Sequence, residues 1–138
     1  MTASQLPTRF LNPPTMPQPF GYTHVVETRG GRTIYISGQV ALDIAGNLVG
    51  VDDLGAQTTQ VFKNLDAALA AVGASFHHVV KFTYFLLDIS QIAVVRAIRD
   101  QYINTQQPPA SSAVEVRRLF RDDVLIEVEA IAVIPDVH

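Results

Sequence analysis

Two glutamates stand two residues apart in an otherwise apolar stretch near the end of the chain. Glu127 and Glu129 lie in the run from Val124 to Ile134, in which the residues alternate as they do along a β-strand. One predicted face of this strand holds only apolar side chains, namely Val124, Ile126, Val128, Ala130 and Ala132. Both carboxylates therefore fall on the other face, with their Cα atoms about 7 Å apart.

Two interpretations of this pair of carboxylates are open. Glutamates on strands most often belong to a solvated face and carry no chemistry. The alternative is a carboxylate at the rim of a pocket, shielded enough to act as a general acid and base near neutral pH. Leu125, Ile131 and Val133 share the face of the glutamates, which favours a covered surface, and a second chain could supply the cover.

Composition gives little support for other kinds of site. The 138 residues include no cysteine, which excludes thiol catalysis and thiolate metal ligands and fits a cytoplasmic protein. The net charge of −3 does not favour nucleic-acid binding, and no apolar run reaches the ~20 residues that a membrane span needs. No glycine-rich phosphate loop is present, and His77 and His78 have no third ligand at a recognisable spacing. We therefore predict no metal site and no nucleotide cofactor.

Turn-type residues predict two hairpins. Residues 113–116 and 124–134 are β-type runs, and the polar break at 121–123 between them predicts two neighbouring antiparallel strands. Earlier in the chain, Gly30 and Gly31 separate strand candidates at 21–27 and 33–37, which predicts a second hairpin.

Two helices and a central strand are predicted between these hairpins. The first helix begins at Asp52 and Asp53 and is closed by Gly73. A strand follows at 79–88, and Ser90 is expected to cap a second helix that ends near Asn104. This order predicts an α+β fold in which a mixed sheet carries both helices on one face. The other face then needs cover as well, and a symmetric oligomer is the expected source.

The first twenty residues hold five of the eight prolines and predict an extended arm. Phe10, Leu11 and Phe20 are expected to pin this arm to a single domain at 21–138, and Arg9 is expected to be a free cation.

Four short motifs together resemble one known family. They are ISGQ at 36–39, KFTYF at 81–85 followed by Asp88, PA-x-SAVEV at 109–116 and VLIEVEA at 124–130. In order and spacing they are similar to the Rid family of reactive-intermediate deaminases, also called the YjgF or UK-type family, from about Tyr22 to Val133. The resemblance implies a chorismate-mutase-like α+β fold and a homotrimer with three clefts between subunits. It also implies hydrolysis of a small reactive enamine or imine to a carbonyl compound and ammonia, without a metal or organic cofactor.

The resemblance assigns roles to individual residues. Glu127 matches the glutamate that handles the catalytic water. Gly38 matches a glycine whose backbone lines the cleft, and Tyr22 matches the aromatic residue that closes it. Ala113 stands in place of a cysteine whose backbone faces the ligand. We also expect Ser111 and Ser112 to lie at the substrate, where their hydroxyls would tune Glu127.

Ser111 departs from the family pattern. In the best-known subgroup this position is an arginine that binds the substrate carboxylate through two parallel hydrogen bonds. Serine is short and uncharged, so either another cation replaces the arginine or the substrate differs. The cations considered as replacements are Arg9, Arg29, Arg32, Arg117 and Arg118.

This departure keeps an alternative function open, namely a trimer that binds a small metabolite or has a regulatory role without catalysis. Ribonuclease activity, which has also been attached to the family, is less well supported because the chain is acidic and lacks a basic, aromatic surface.

Overall fold

The computed structural model describes residues 6–136 and contains six strands and two α-helices. The strands are β1 (Thr8–Leu11), β2 (Val25–Thr28), β3 (Arg32–Gln39), β4 (Val79–Leu86), β5 (Ala110–Glu115) and β6 (Ile126–Ile134). The helices are α1 (Leu54–Ala70) and α2 (Ile92–Arg99), with single 3-10 turns at Phe76–His78 and Ile89–Gln91. Between residues 6 and 136, no helix has the length and apolar character required to cross a membrane.

Four strands form the main sheet in the order β3-β6-β4-β5. β6 lies at the centre and runs antiparallel to both β3 and β4, whereas β4 and β5 are parallel. The sheet is therefore mixed, and both helices belong to the core on one of its faces. These features confirm the predicted α+β class.

Neither predicted hairpin forms. β5 pairs with β4 and not with β6, and β2 pairs with β1 and not with β3. The chain does turn at residues 121–123 and at the glycine pair 30–31. In both places, however, the strands before and after the turn pair with other strands and not with each other. Turn chemistry alone therefore predicted the wrong neighbours.

The faces of β6 follow the predicted alternation. Ile126, Val128, Ala130 and Ala132 are buried against the helices, together with Phe82, Tyr84 and Leu86 of β4. The opposite side of the sheet, which we call the open face, carries the alternate residues of each strand. Its residues include Tyr35, Thr83, Phe85, Glu127, Glu129 and Ile131. Tyr35 is 78 % exposed, so an aromatic side chain on the open face lies uncovered in a single chain.

The helix boundaries depart from the sequence prediction mainly at α2. The Asp53 carboxylate accepts a hydrogen bond from the Ala56 amide and caps α1 as predicted, and Gly73 adopts a positive φ of 74° just beyond the helix. Ser90 was the wrong cap for the second helix, because Asp88 accepts from the Ser90 amide and begins the preceding 3-10 turn. α2 also ends at Arg99, before the predicted end.

The arm takes part in a small sheet of its own. β1 pairs antiparallel with β2, and Arg9 Nε lies 2.8 Å from Glu27 Oε1. Arg9 is therefore paired and is not the free cation that the sequence suggested. Phe20 is 78 % exposed and does not pin the arm to the rest of the chain.

A buried glutamine fixes the entry of β6. Gln57 of α1 is fully buried, donates to the carbonyl oxygens of Gly50 and Asp123, and accepts from the Leu125 amide, each at 2.9 Å. It therefore holds the backbone directly before the strand that carries the two glutamates.

Replacing Gln57 with leucine is expected to lower the free energy of unfolding by about 3 kcal/mol, because three backbone groups lose their partner in the interior. Urea denaturation at one fixed protein concentration measures this change. The matched control is Gln60→Leu on the same helix. Among the described residues its side chain bonds only to Asn64, and a loss below about 1 kcal/mol is expected. Equal losses in the two variants would show that Gln57 has no special role.

Candidate active site

Glu127 and Gly38 are in direct contact. Glu127 is half-buried on the open face of β6, opposite Phe85 of β4. A Cβ atom built on Gly38 would lie 2.7 Å from Glu127 Cδ and 2.9 Å from Cγ, and closer still to Oε2. Real Cβ atoms do not approach other heavy atoms this closely, so the carboxylate occupies the space that a side chain at position 38 would need. A side chain at position 38 would therefore displace the end of the flexible Glu127 side chain. The φ of Gly38 is not among the positive values, so space and not backbone conformation is what the glycine provides.

An irregularity in β3 brings this glycine to the glutamate. Ile36 is opposite Ala130 on β6, but Gln39 is opposite Val128, so β3 contains one extra residue in this stretch. The extra residue falls at Ser37 and Gly38. Such β-bulges bend a strand and redirect its side chains, and they are frequent beside active sites.

A concavity of about 240 Å³ lies next to this contact on the open face. Its lining includes Tyr35, Ser37, Lys81, Thr83, Glu129 and Ile131. The carboxylate that lines it is Glu129, which is exposed, and Glu127 is not among the lining residues. In a single chain, Glu127 therefore lies beside this concavity, with its carboxylate against the Gly38 backbone.

The other candidate residues lie at the β5 edge of the sheet. Ser111 and Ala113 are opposite Phe82 and Tyr84 of β4, so their side chains point toward the helix side. Ser112 points toward the open face, where Lys81 Nζ donates to its hydroxyl at 2.9 Å. β5 is exposed from Ser112 to Glu115.

Tyr22 is held near this edge by its neighbour. Thr23 is buried, its amide donates to the Pro109 carbonyl at 3.3 Å, and its hydroxyl donates to Pro108. The Tyr22 ring meets His24 edge to face, with ring centroids 5.2 Å apart. We call Tyr22, Ser111 and Ala113 the edge group.

The candidate residues therefore form two separate groups. Glu127 and Gly38 lie on the open face, whereas the side chains of Ser111 and Ala113 lie on the helix side, with Tyr22 near the same edge. β6 and β5 are separated by β4, which places their backbones about 10 Å apart. One chain alone does not bring the two groups around one small molecule.

Two buried polar residues beside the edge group were not predicted from the sequence. Tyr84 is 3 % exposed and, within residues 6–136, its hydroxyl has no hydrogen-bond partner. An unpaired buried hydroxyl is unfavourable by roughly 1–3 kcal/mol. Burial raises the pKa of Tyr84 well above its usual range, and the nearby charge of Arg99 opposes this rise. Tyr84 is therefore a neutral hydrogen-bond donor.

Arg99 is the second of these residues and is 5 % exposed. Its Nε and Nη2 atoms donate to Asp100 Oδ1 at 3.1 and 2.9 Å. The sequence carried a signal for it, because Arg99 follows Ile92 and Val95 at the spacing of the buried stripe of α2. Arginine is rarely buried without a partner or a function, so its place on this stripe indicated a special role. The sequence prediction overlooked this signal.

The cations proposed to replace an arginine at position 111 have other partners or lie elsewhere. Arg9 and Arg29 both face Glu27, at 2.8 and 3.6 Å. Arg118 pairs with Asp122 at 2.8 Å, and Arg32 and Arg117 are exposed. For the part of the chain from 6 to 136, no cluster of three His, Asp or Glu side chains is arranged to hold a metal ion.

Comparison with known proteins identifies a family of the same length and fold. The family model described as Endoribonuclease L-PSP matches residues 15–134. A RutC family protein from Synechocystis, slr0709, is 39 % identical over 121 residues, which is 86 % of this chain and 91 % of the relative. The 2-iminobutanoate/2-iminopropanoate deaminase of Mus musculus is 39 % identical over 102 residues, 74 % of each chain.

The solved structure of YyfB from Yersinia pestis, described as a Rid family protein of unknown function, superposes with a TM-score of 0.82. It is 36 % identical in sequence, and the match covers 94 % of this chain and 100 % of that one. The chorismate-mutase-like fold implied by the sequence motifs is thus confirmed.

Proposed function

Because this chain belongs to the endoribonuclease L-PSP family, also known as the Rid (YjgF/UK-type) family, we propose that it is a hydrolytic deaminase of a small reactive imine or enamine. The observation that carries the proposal is the contact between Glu127 and Gly38. Because position 38 has no side chain, the Glu127 carboxylate lies directly against its backbone. The names of the mouse, human and mite relatives, which are 2-iminobutanoate/2-iminopropanoate deaminases, support the same reaction type.

The proposed reaction needs one group that moves protons. Glu127 takes a proton from water while the water oxygen bonds to the carbon of the protonated imine. The proton then passes to the nitrogen of the tetrahedral adduct. The C–N bond breaks while Glu127 takes the proton of the adduct's hydroxyl, and a carbonyl compound and ammonia leave. Glu127 then gives this last proton to the departing ammonia, which leaves as ammonium, and returns to its ionised form. An enamine enters the same route after protonation at carbon converts it to the imine. General acid and base catalysis of this kind contributes about 10²–10⁴-fold.

We further propose that the protein is a homotrimer whose sites lie in clefts between subunits. The division of the candidate residues supports this arrangement, because Glu127 and Gly38 are on the open face of one chain, whereas Ser111 and Ala113 are on the helix side at the β5 edge. The exposed Tyr35 and the partly buried Ile131 on the open face supply an apolar surface that a second copy would cover. A cytoplasmic setting is part of the proposal, and the lack of cysteine is compatible with it.

A second candidate function rests on position 111. Since serine stands where an arginine would bind a substrate carboxylate, a trimer that binds a metabolite or regulates a partner without turnover is the alternative. The word endoribonuclease in the family description points to a third activity, but a net charge of −3 gives a polyanion no electrostatic attraction.

The test of the proposed function is ammonia release from freshly generated imines, measured against the uncatalysed rate. A panel contains imines with and without a carboxylate on the nitrogen-bearing carbon. We expect the protein to accelerate hydrolysis of at least one class, with saturation in substrate concentration. The same preparation is expected to have three times the mass of the single chain in light-scattering chromatography.

Two results would contradict the proposal. Absence of turnover across the whole panel, with tight binding of a metabolite, would favour the non-catalytic alternative. Full activity in a preparation that is monomeric at the assay concentration would refute the shared sites while leaving the reaction in place.

A further inference from the structure

We propose that Arg99, assisted by Tyr84, binds the carboxylate of the substrate in place of the arginine that is absent from position 111. This inference rests on the proposed function and adds the residue of this chain that would bind the substrate carboxylate.

The guanidinium of Arg99 has donors to spare. It is buried at the helix side of β4, and its hydrogen bonds within the described residues use Nε and Nη2, both directed to Asp100 Oδ1. A guanidinium offers five N–H donors in a planar fork. Among the described residues, the remaining N–H groups interact only with the nearby Tyr84 hydroxyl, and Asp100 fixes the orientation of the group.

The unpaired hydroxyl of Tyr84 is the second observation. Tyr84 is 97 % buried on the same side of the sheet as Arg99, and the charge of Arg99 acts on its hydroxyl. Among residues 6–136, no acceptor takes the hydrogen of this hydroxyl. A guanidinium and a neutral hydroxyl side by side form a set of donors that suits an anion with two oxygens.

The location matches the position that the arginine would have served. Tyr84 is opposite Ala113 on β5, and Ser111 lies two residues earlier on the same side of that strand. Arg99 therefore reaches the helix side of the edge group from α2, whereas an arginine at position 111 would project there from β5.

The backbone of Gly21 approaches this guanidinium closely. A Cβ atom on Gly21 would lie 3.2 Å from Arg99 Nη2, closer than nine in ten real Cβ contacts. The loop that presents Tyr22 thus passes Arg99 without a side chain between them. Tyr22 and Arg99 consequently border the same region, which is where the edge group would receive a ligand.

The chemistry of the donors selects the ligand class. Planar N–H groups bind carboxylates through parallel hydrogen bonds, and a neutral phenol adds a donor without adding charge. We therefore expect 2-imino acids to be substrates despite the uncharged Ser111, and carboxylate-free imines to be weaker ones.

Calorimetric titration with 2-oxobutanoate, the carbonyl product of 2-iminobutanoate, tests the inference without requiring turnover. Arg99→Gln is expected to weaken binding at least 10-fold, and Arg99→Lys is expected to weaken it less because the charge remains while the fork is lost. Tyr84→Phe is expected to weaken binding a few-fold. Binding of 2-oxobutanamide, which has no charge, is expected to stay within 2-fold in all three variants.

Arg118→Gln is the matched control, since it removes an exposed arginine that was also considered as a replacement for an arginine at position 111. This variant should bind 2-oxobutanoate as tightly as the wild type does. The double variant Arg99→Gln/Ser111→Arg is expected to regain most of the affinity, because the arginine returns to the same side from β5. A thermal unfolding curve for each variant separates loss of binding from loss of fold.

The outcomes distinguish this inference from the proposed function. Unchanged binding of 2-oxobutanoate by folded Arg99→Gln, or an equal loss for the uncharged amide, would overturn the role of Arg99 and leave the deaminase proposal intact. The converse result is also informative. If Arg99→Gln loses carboxylate binding but the wild-type protein hydrolyses no imine, the role of Arg99 is supported and the proposed reaction is refuted.

Discussion

Replacing Glu127 with glutamine is expected to lower kcat/KM for imine hydrolysis by about 10²–10⁴-fold, the usual contribution of a general acid and base. Glutamine has almost the same shape, so it fits against Gly38, but its amide cannot accept the proton from water. The loss should fall mainly on kcat, because the substrate still binds while the proton transfer fails. Steady-state ammonia release at several substrate concentrations measures this division.

Glu129→Gln is the discriminating variant. Glu129 lies two residues along on the same face but is exposed and lines the neighbouring concavity. We expect this variant to keep most of its turnover. The assignment of Glu127 would be wrong if the effects were reversed, or if Glu127→Gln deaminated at the wild-type rate.

Replacing Gly38 with alanine is expected to lower turnover by about 10²-fold, although a single methyl group is added. The new Cβ would overlap with Glu127, whose Cδ lies 2.7 Å and Cγ 2.9 Å from that position. The carboxylate must then move by the order of an ångström, and misplacement of a catalytic group by about 1 Å can lower a rate 10²-fold. The free energy of unfolding is expected to fall by less than about 1 kcal/mol, because the atoms that must move are the end of a flexible side chain.

Combining the two changes isolates the mechanism of this loss. If Gly38→Ala acts by displacing the carboxylate, then it should lower turnover little further in a Glu127→Gln background. Gly55→Ala provides the control, since a Cβ there would meet only ordinary contacts of 3.5 Å or more at the start of α1. Fully additive losses from Gly38→Ala and Glu127→Gln would contradict the proposed contact.

The parts of the fold that were predicted correctly depend on local sequence. Asp53 caps α1 through an amide three residues away, and β6 separates an apolar face from an acidic one by simple alternation. Both signals act within one element, so no knowledge of the remaining chain was needed.

The hairpins failed because strand pairing is decided between distant residues. The stretch from 116 to 125 leads β5 away from β6, and the parallel ladder of β5 with β4 joins residues about thirty positions apart. Similarly, β2 found its partner in the proline-rich arm, where the sequence indicated no strand. Turn residues show where a chain reverses, but the partner of a strand depends on packing of the whole domain.

The candidate site was predictable only in part for the same reason. Glu127 could be found from its unusual place on an apolar strand. Its contact with Gly38 depends on the extra residue in β3, which no local pattern revealed. Arg99 was overlooked because a long charged side chain on a helix is normally expected to reach solvent.

The central position of β6 has a consequence for synthesis of the protein. β6 follows the other five described strands in chain order, yet it must insert between β3 and β4. Until the ribosome has released it, β3 and β4 present open edges that can pair with a neighbouring nascent chain. The glutamate to which we assign proton transfer arrives with that same strand, so a partly made chain is exposed to aggregation before this proposed catalytic group is in place.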